Sequence, residues 1–247
     1  MTRMIPTRIN ERWTLILPEH RHNRPEWPWW EAARLAAMFN FIGDGDVVID
    51  VGAEEGDFPA LFCQWGAELI LIEPNPRVWP NIKAIFEANE MSHRVIGSFV
   101  GFASDISAEP TGPTGLSIEQ AFVKRWPDCA DGEVIGDHGF RHLAQETDTT
   151  PQETIDNIVE RFGRVPTHIT MDIEGSELTA LRGATRTMTE HRPYVWVSVH
   201  KDTMMDFYCA NPEEVYKLME EHKYERVFIS YDHESHELFV PKEKMWT

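Results

Sequence analysis

The sequence predicts an open α/β fold: a mainly parallel seven-stranded sheet with helices on both faces, closed by a C-terminal antiparallel hairpin. Three observations lead there. Short, solidly apolar runs such as Val47–Val51 recur along the chain, as strands covered on both faces must. Segments with apolar residues at helical spacing stand between them. The last two strand-like runs, residues 227–229 and 237–240, are joined by a polar link with no helix, the pattern of a hairpin. The 247 residues accommodate one such domain with an extension and an insertion, and 42% hydrophobic with 26% charged residues is a globular balance.

In chain order, residues 1–45 are expected to form an N-terminal extension, irregular up to Trp30 and ending in a packing helix with Leu35, Met38 and Phe39 on one face. The main domain is expected over residues 46–247, opening with the buried strand Val47–Val51. A helix over 58–65 is stopped by Gly66, residues 69–72 form a second strand, 76–89 a helix carrying Ile82, Ile85 and Phe86, and 94–100 a third strand. Residues 105–149 are long, rich in Gly, Pro and Asp, and aperiodic. Such a stretch inside a compact domain is usually functional, so it is expected to be an insertion covering the substrate, with Phe122, Trp126 and Phe140 as apolar contacts. Thr150, Pro151 and Glu153 predict the capped start of the next helix. That helix carries Ile155, Ile158, Val159 and Phe162 and ends at Gly163. A fourth strand at 168–171, a helix over 176–188, a fifth strand at 194–199 and a helix capped by Asn211 lead into the hairpin.

The formal net charge of −18 opposes binding to a phosphate backbone, so no nucleic acid partner is expected. Cys63, Cys129 and Cys209 are isolated and lack metal-ligand spacing; they read as reduced thiols of a cytoplasmic protein. No run approaches the ~20 apolar residues of a membrane helix, and the N-terminus lacks an apolar signal core. His138 and His142 are four apart, but Gly136 and Gly139 oppose the helix a metal pair would need there. His233 and His236 fall in the hairpin turn and read as solvated.

The chemistry concentrates where strands end. Asp50-Val-Gly-Ala-Glu-Glu-Gly-Asp57 follows the first strand and precedes a helix, the junction at which nucleotide-like ligands bind in open α/β sheets. Gly52 and Gly56 give G-x-x-x-G, without the G-x-G-x-x-G of dinucleotide sites. Glu54, Glu55 and Asp57 would repel a pyrophosphate but tolerate a sulfonium. Glu73, ending the second strand in Ile-Glu-Pro-Asn75, suits two ribose hydroxyls, as the acid at that place does in dinucleotide folds. Met171-Asp-Ile-Glu-Gly-Ser-Glu177 places Asp172 and Glu174 at the carboxyl end of the fourth strand. Glu177 reads equally as an acid favouring a helix N-terminus. His200 ends the fifth strand.

These segments, with Thr154-Ile-Asp156 and the continuation Leu-Thr-Ala-Leu-Arg-Gly-Ala184, resemble the FkbM-type methyltransferases over about residues 46–240. The resemblance implies a Rossmann-like class I methyltransferase fold and S-adenosylmethionine as cofactor. It also implies O-methylation of a glycan or secondary-metabolite hydroxyl. It would place Gly52, Gly56 and Glu73 on the cofactor, with Asp50, Ala53, Glu54 and Asn75 in the same two segments. Asp172 and Glu174 would stand at the reaction end. Many members carry a Glu on the fifth strand, where this chain runs Val197-Ser-Val-His200. Asp172 or a neutral His200 is the expected base; a divalent metal held by acids of the cleft is the alternative. The rival readings are a nicotinamide-dependent oxidoreductase and a non-catalytic binding module.

Overall fold

The computed structural model describes residues 2–135 and 148–245. The chain opens with a hairpin, β1 (Met4–Ile9) and β2 (Trp13–Pro18), followed by a turn of helix α1 (Glu19–His22) and α2 (Ala32–Phe39). Then come β3 (Val47–Val51), α3 (Asp57–Trp65), β4 (Glu68–Ile72), α4 (Trp79–Ala88), β5 (Val95–Phe99) and β6 (Phe102–Ala103). The insertion contributes α5 (Ile118–Ala121) and β7 (Phe122–Val123). The second half holds β8 (Gln152–Glu153), α6 (Ile155–Phe162), β9 (His168–Met171), α7 (Glu177–Arg182), α8 (Thr185–Glu190) and β10 (Tyr194–Val199). It closes with α9 (Lys201–Tyr208), α10 (Pro212–Glu221), β11 (Tyr224–Tyr231) and β12 (Ser235–Pro241).

The main sheet runs β11-β12-β10-β9-β3-β4-β5-β7. β10, β9, β3, β4 and β5 pair in parallel, and β12 runs antiparallel to both β10 and β11. All seven expected strands are present, but the sheet has eight: β7, from the insertion, pairs antiparallel with the edge of β5. Two residues of pairing leave too weak a period-2 signal to read. Every residue of β3 is buried, which is why that run is apolar throughout apart from Asp50. Gly66 and Gly163 take left-handed conformations and end α3 and α6, as expected.

Four local expectations are corrected. The first 30 residues are not irregular: β1 and β2 form a six-residue antiparallel ladder, with Ile9, Leu15 and Leu17 fully buried. The cap of α6 is Thr154, whose side chain accepts from Asn157 N. Pro151 lies outside the helix, and Gln152 and Glu153 pair in parallel with β6. Residues 176–188 break into α7 and α8 at Gly183, where a Cβ would lie 1.9 Å from the Ser104 carbonyl oxygen. The insertion is partly core. Phe122 packs on Phe99 and Phe162 (ring centroids 4.8 and 5.6 Å), and Trp126 on Phe86 (5.6 Å). Phe140 and the pair His138 and His142 lie outside the described residues. Among the described residues, no helix is long and apolar enough to cross a membrane.

Candidate active site

A cavity of about 760 Å³ opens at the carboxyl ends of β3, β4, β9 and β10. Asp50, Gly52, Ala53, Glu54, Glu73, Asp172, Glu174 and His200 all line it. Two of the expected residues do not. Gly56, with φ of +92°, faces the backbone of α4, where a Cβ would sit 2.9 Å from Ile82 Cα. Asn75 is buried behind Glu73 and its N–H donates to Glu73 Oε1 at 2.8 Å. Of the insertion's described residues, none lines the cavity. The wall comes from the N-terminal extension through Arg21, Trp29, Trp30, Glu31 and Arg34, and from the β11–β12 turn through Tyr231 to Glu234.

Gly52 has φ of +89°, and a Cβ there would stand 2.2 Å from the Asp172 carbonyl oxygen. The glycine therefore lets the β3 turn cross the end of β9. Glu73 receives two backbone N–H groups, from Asn75 on Oε1 and from Glu54 on Oε2 at 3.0 Å. Burial pushes its pKa up to about 8 despite these donors. Burial also raises Asp50 to about 7, although Thr170 Oγ1 donates to its Oδ1. Asp50 Oδ2 is buried with no hydrogen-bond partner.

The acids of the turn are balanced by a residue the sequence did not single out. Arg21 is fully buried; its guanidinium stands 2.5 Å from Asp57, 3.3 Å from Glu55 and 3.7 Å from Glu54. Burial opposes ionisation of Glu55, but the hydrogen bond to His20 (2.5 Å), the charge of Arg21 and the Asn81 amide hold it down to about 2. Arg34, also buried, spans Glu31 (2.7 Å) and Asp172 Oδ2 (2.9 Å). Arg21 sits in a stretch without a readable period, and Arg34 in the expected packing helix but apart from its apolar set Leu35, Met38 and Phe39. A buried cation there shows only when its partners, tens of residues away, are placed beside it.

At the inner end, His200 Nδ1 lies 2.7 Å from Glu177 Oε1, while Nε2 lies 3.0 Å from Glu234 Oε2, 3.5 Å from Asp172 and 3.7 Å from Glu174. Burial alone would lower the imidazole pKa; the hydrogen bonds to Glu177 and Glu234 and the charge of Asp172 push it up to about 12. These contacts favour the protonated ring. Burial works against ionisation of Asp172 too, but Arg34 and His200 hold it at about 2, and Ser198 Oγ also donates to its Oδ2 at 3.0 Å. Glu177 is more than a helix-terminus acid: it is fully buried and orients the His200 ring. Of the turn histidines, His233 is exposed but His236 is buried, its Nδ1 3.0 Å from Ser198 Oγ and its Nε2 3.2 Å from Asp232.

The doubly wound sheet, the cavity at its carboxyl edge, and the acids ending β3, β4 and β9 define a methyltransferase-type α/β domain. The chain belongs to the FkbM methyltransferase family: the methyltransferase FkbM domain matches residues 50–226. A crystal structure of a methyltransferase FkbM from Methylobacillus flagellatus is similar at 19% identity and TM-score 0.53, over 80% of this chain and 44% of that one. This chain thus spans less than half the length of that neighbour. A putative rRNA methylase from Clostridium thermocellum is similar at 9% identity and TM-score 0.51, over 85% of this chain and 94% of that one. Both likenesses are of fold, a Rossmann-like class I methyltransferase. No curated protein matches the chain.

Proposed function

We propose that this chain methylates a hydroxyl group of a small ring-bearing acceptor, a glycan or a secondary metabolite, with S-adenosylmethionine as the donor. The observation that carries this reading is one cavity with two unlike sets of lining groups. One set is an unsatisfied carboxylate oxygen and Glu73 beside an open glycine turn; the other combines exposed rings with a charged cluster.

The first set suits the donor. Asp50 Oδ2, buried and unpartnered, is an acceptor for an ammonium group. The Glu73 oxygens each take one backbone N–H and keep lone pairs for two ribose hydroxyls. Gly52 and Ala53 bring backbone to the cavity without side-chain bulk. A volume of about 760 Å³ lies within the roughly 300–1,000 Å³ of small-molecule sites. When bound, S-adenosylmethionine supplies an electrophilic methyl group.

The second set suits the acceptor. Trp29, Phe207 and Tyr231 line the cavity while 65%, 56% and 64% exposed; faces of this kind stack on rings and hold their orientation. Asp172 Oδ1 faces His200 Nε2 and can accept a hydrogen bond from an incoming hydroxyl, because Arg34 and Ser198 both use Oδ2. Alignment of the oxygen behind the methyl contributes up to roughly 7–11 kcal/mol in the best-oriented cases. Acids outnumber arginines along the lining, and the net charge is −18. A polyphosphate acceptor is therefore disfavoured, and nucleic acid is left out of this reading.

Calorimetry with S-adenosylmethionine, its demethylated product and NAD tests the donor. The first two are expected to bind and NAD is not. Binding of NAD alone would replace this reading with an oxidoreductase, and binding of none would favour a non-catalytic module.

A further inference from the structure

The inner end of the cavity holds more convergent ligand atoms than positioning a hydroxyl requires. Glu177 Oε1, fully buried, also accepts from Gly175 N at 3.0 Å. Its contact with His200 Nδ1 fixes the ring so that Nε2 is turned toward Asp172 and Glu234. Glu234 is 5% exposed, and its Oε2 lies 3.0 Å from His200 Nε2 and 2.9 Å from His233 Nε2. The nitrogen and the carboxylate oxygens thus crowd into one small volume. Arg34 and Ser198 both occupy Asp172 Oδ2, so Oδ1 is the oxygen facing that volume. One ligand atom from each of Asp172, His200 and Glu234 lies within 4.8 Å of the other two.

We propose that Asp172, His200 and Glu234 form a binding site for a divalent first-row transition cation. Two carboxylates and one neutral imidazole balance the charge of such an ion. One nitrogen among oxygens favours manganese, iron or zinc over magnesium or calcium. Glu177 behind His200 is the carboxylate that metal-bound histidines usually engage through their second nitrogen. Binding displaces the Nε2 proton to solvent and changes no oxidation state. The protein supplies three ligands on one side, and the side toward the cavity is open to a water or a hydroxyl oxygen. The role of the ion in orienting the acceptor hydroxyl rests on the proposed function; its binding does not.

The test is titration of chelator-treated full-length protein with Mn²⁺, followed by calorimetry and by electron paramagnetic resonance, with Zn²⁺ in parallel. One ion per chain is expected, with release of a proton. Glu234→Gln and His200→Gln should each weaken binding at least about tenfold, and Glu177→Gln by roughly 10–100-fold. The demethylated product of S-adenosylmethionine is titrated into the same samples; retained affinity in Glu234→Gln shows that the fold and the donor pocket survive. If neither ion binds up to ~1 mM while that product binds, the metal site falls and the methyltransferase reading stands. Ion binding without product binding supports the site and removes the donor reading. Ion binding that depends on Glu234 and on the exposed His233, but not on His200 or Asp172, would place the ion at the hairpin tip and overturn the proposal.

Discussion

Arg34 donates to Asp172 Oδ2 at 2.9 Å, which ties the first long helix of the N-terminal extension to the end of β9. The extension is thus part of the site. Arg34→Met leaves Asp172 and Glu31 without their common cation. Breaking a buried pair from one side costs about 3 kcal/mol or more, roughly 6–12 °C of melting temperature for a chain of this size. A thermal melt that moves by only a degree or two would show the contact to be incidental.

Arg21 is the second clasp. Arg21→Met uncovers Glu55 and Asp57, which lie against a fully buried guanidinium. The turn that carries Glu54 should loosen, and the demethylated donor product should bind at least about tenfold more weakly, a cost of ~1.4 kcal/mol. Calorimetry on the folded variant checks this; unchanged affinity would separate the clasp from the donor pocket.

Gly52 and Gly45 share a φ of +89°, but a Cβ at Gly45 meets nothing within 4 Å, while at Gly52 it meets the Asp172 carbonyl oxygen. Gly45→Ala therefore carries only the backbone strain, about 1–2 kcal/mol. Gly52→Ala adds a clash between two strands and should lose at least twice as much, as a failure of the fold and not of the cofactor site alone. Equal denaturant midpoints for the two variants would remove the steric argument.

The strands were legible because burial on both faces makes them apolar without interruption, as in β3 and β4. Gly52, Glu73, Asp172 and His200 were legible because strand ends in such a sheet face one crevice. What could not be read depends on partners far apart in sequence. Arg21 pairs with Asp57, Arg34 with Asp172, and Glu234 with His200. Each pair joins separate elements; Asp57, Asp172 and His200 stand in readable segments, but nothing local marks Arg21, Arg34 or Glu234 as their partners. Two rings of the insertion were unreadable for a related reason: Phe122 and Trp126 fill gaps beside Phe99 and Phe86, distant in sequence.

The exposed rings at the mouth should act on the acceptor alone. Trp29→Ala and Tyr231→Ala each remove a stacking face that supports no buried core, both side chains being about two-thirds exposed. A ring contact of this kind is worth about 0.5–1.5 kcal/mol, so KM for a ring-bearing acceptor should rise severalfold while donor affinity stays constant. An acceptor whose KM is unmoved by both variants does not bind across this mouth.

Glu73 makes the stability of the ligand-free chain depend on pH in a defined direction. Burial raises its pKa from 4.5 to about 8, so the folded state holds a proton that the unfolded chain has already lost across that interval. The proton favours the folded state, and the contribution is fully present below 4.5 and lost as pH climbs toward 8. Asp50, raised to about 7, acts in the same sense. Glu73→Gln keeps the shape and removes the titration, so its melting temperature should gain on the wild type as pH rises from 5 to 8, by roughly 1–3 kcal/mol in stability. Ribose hydroxyls donating to Glu73 would favour the ionised form, so product binding near neutral pH should release protons in the wild type and release fewer in Glu73→Gln. Calorimetry in two buffers of different ionisation enthalpy measures that release directly. Equal release from both proteins would take Glu73 out of the ribose site, and parallel stability curves would take it out of the pH dependence.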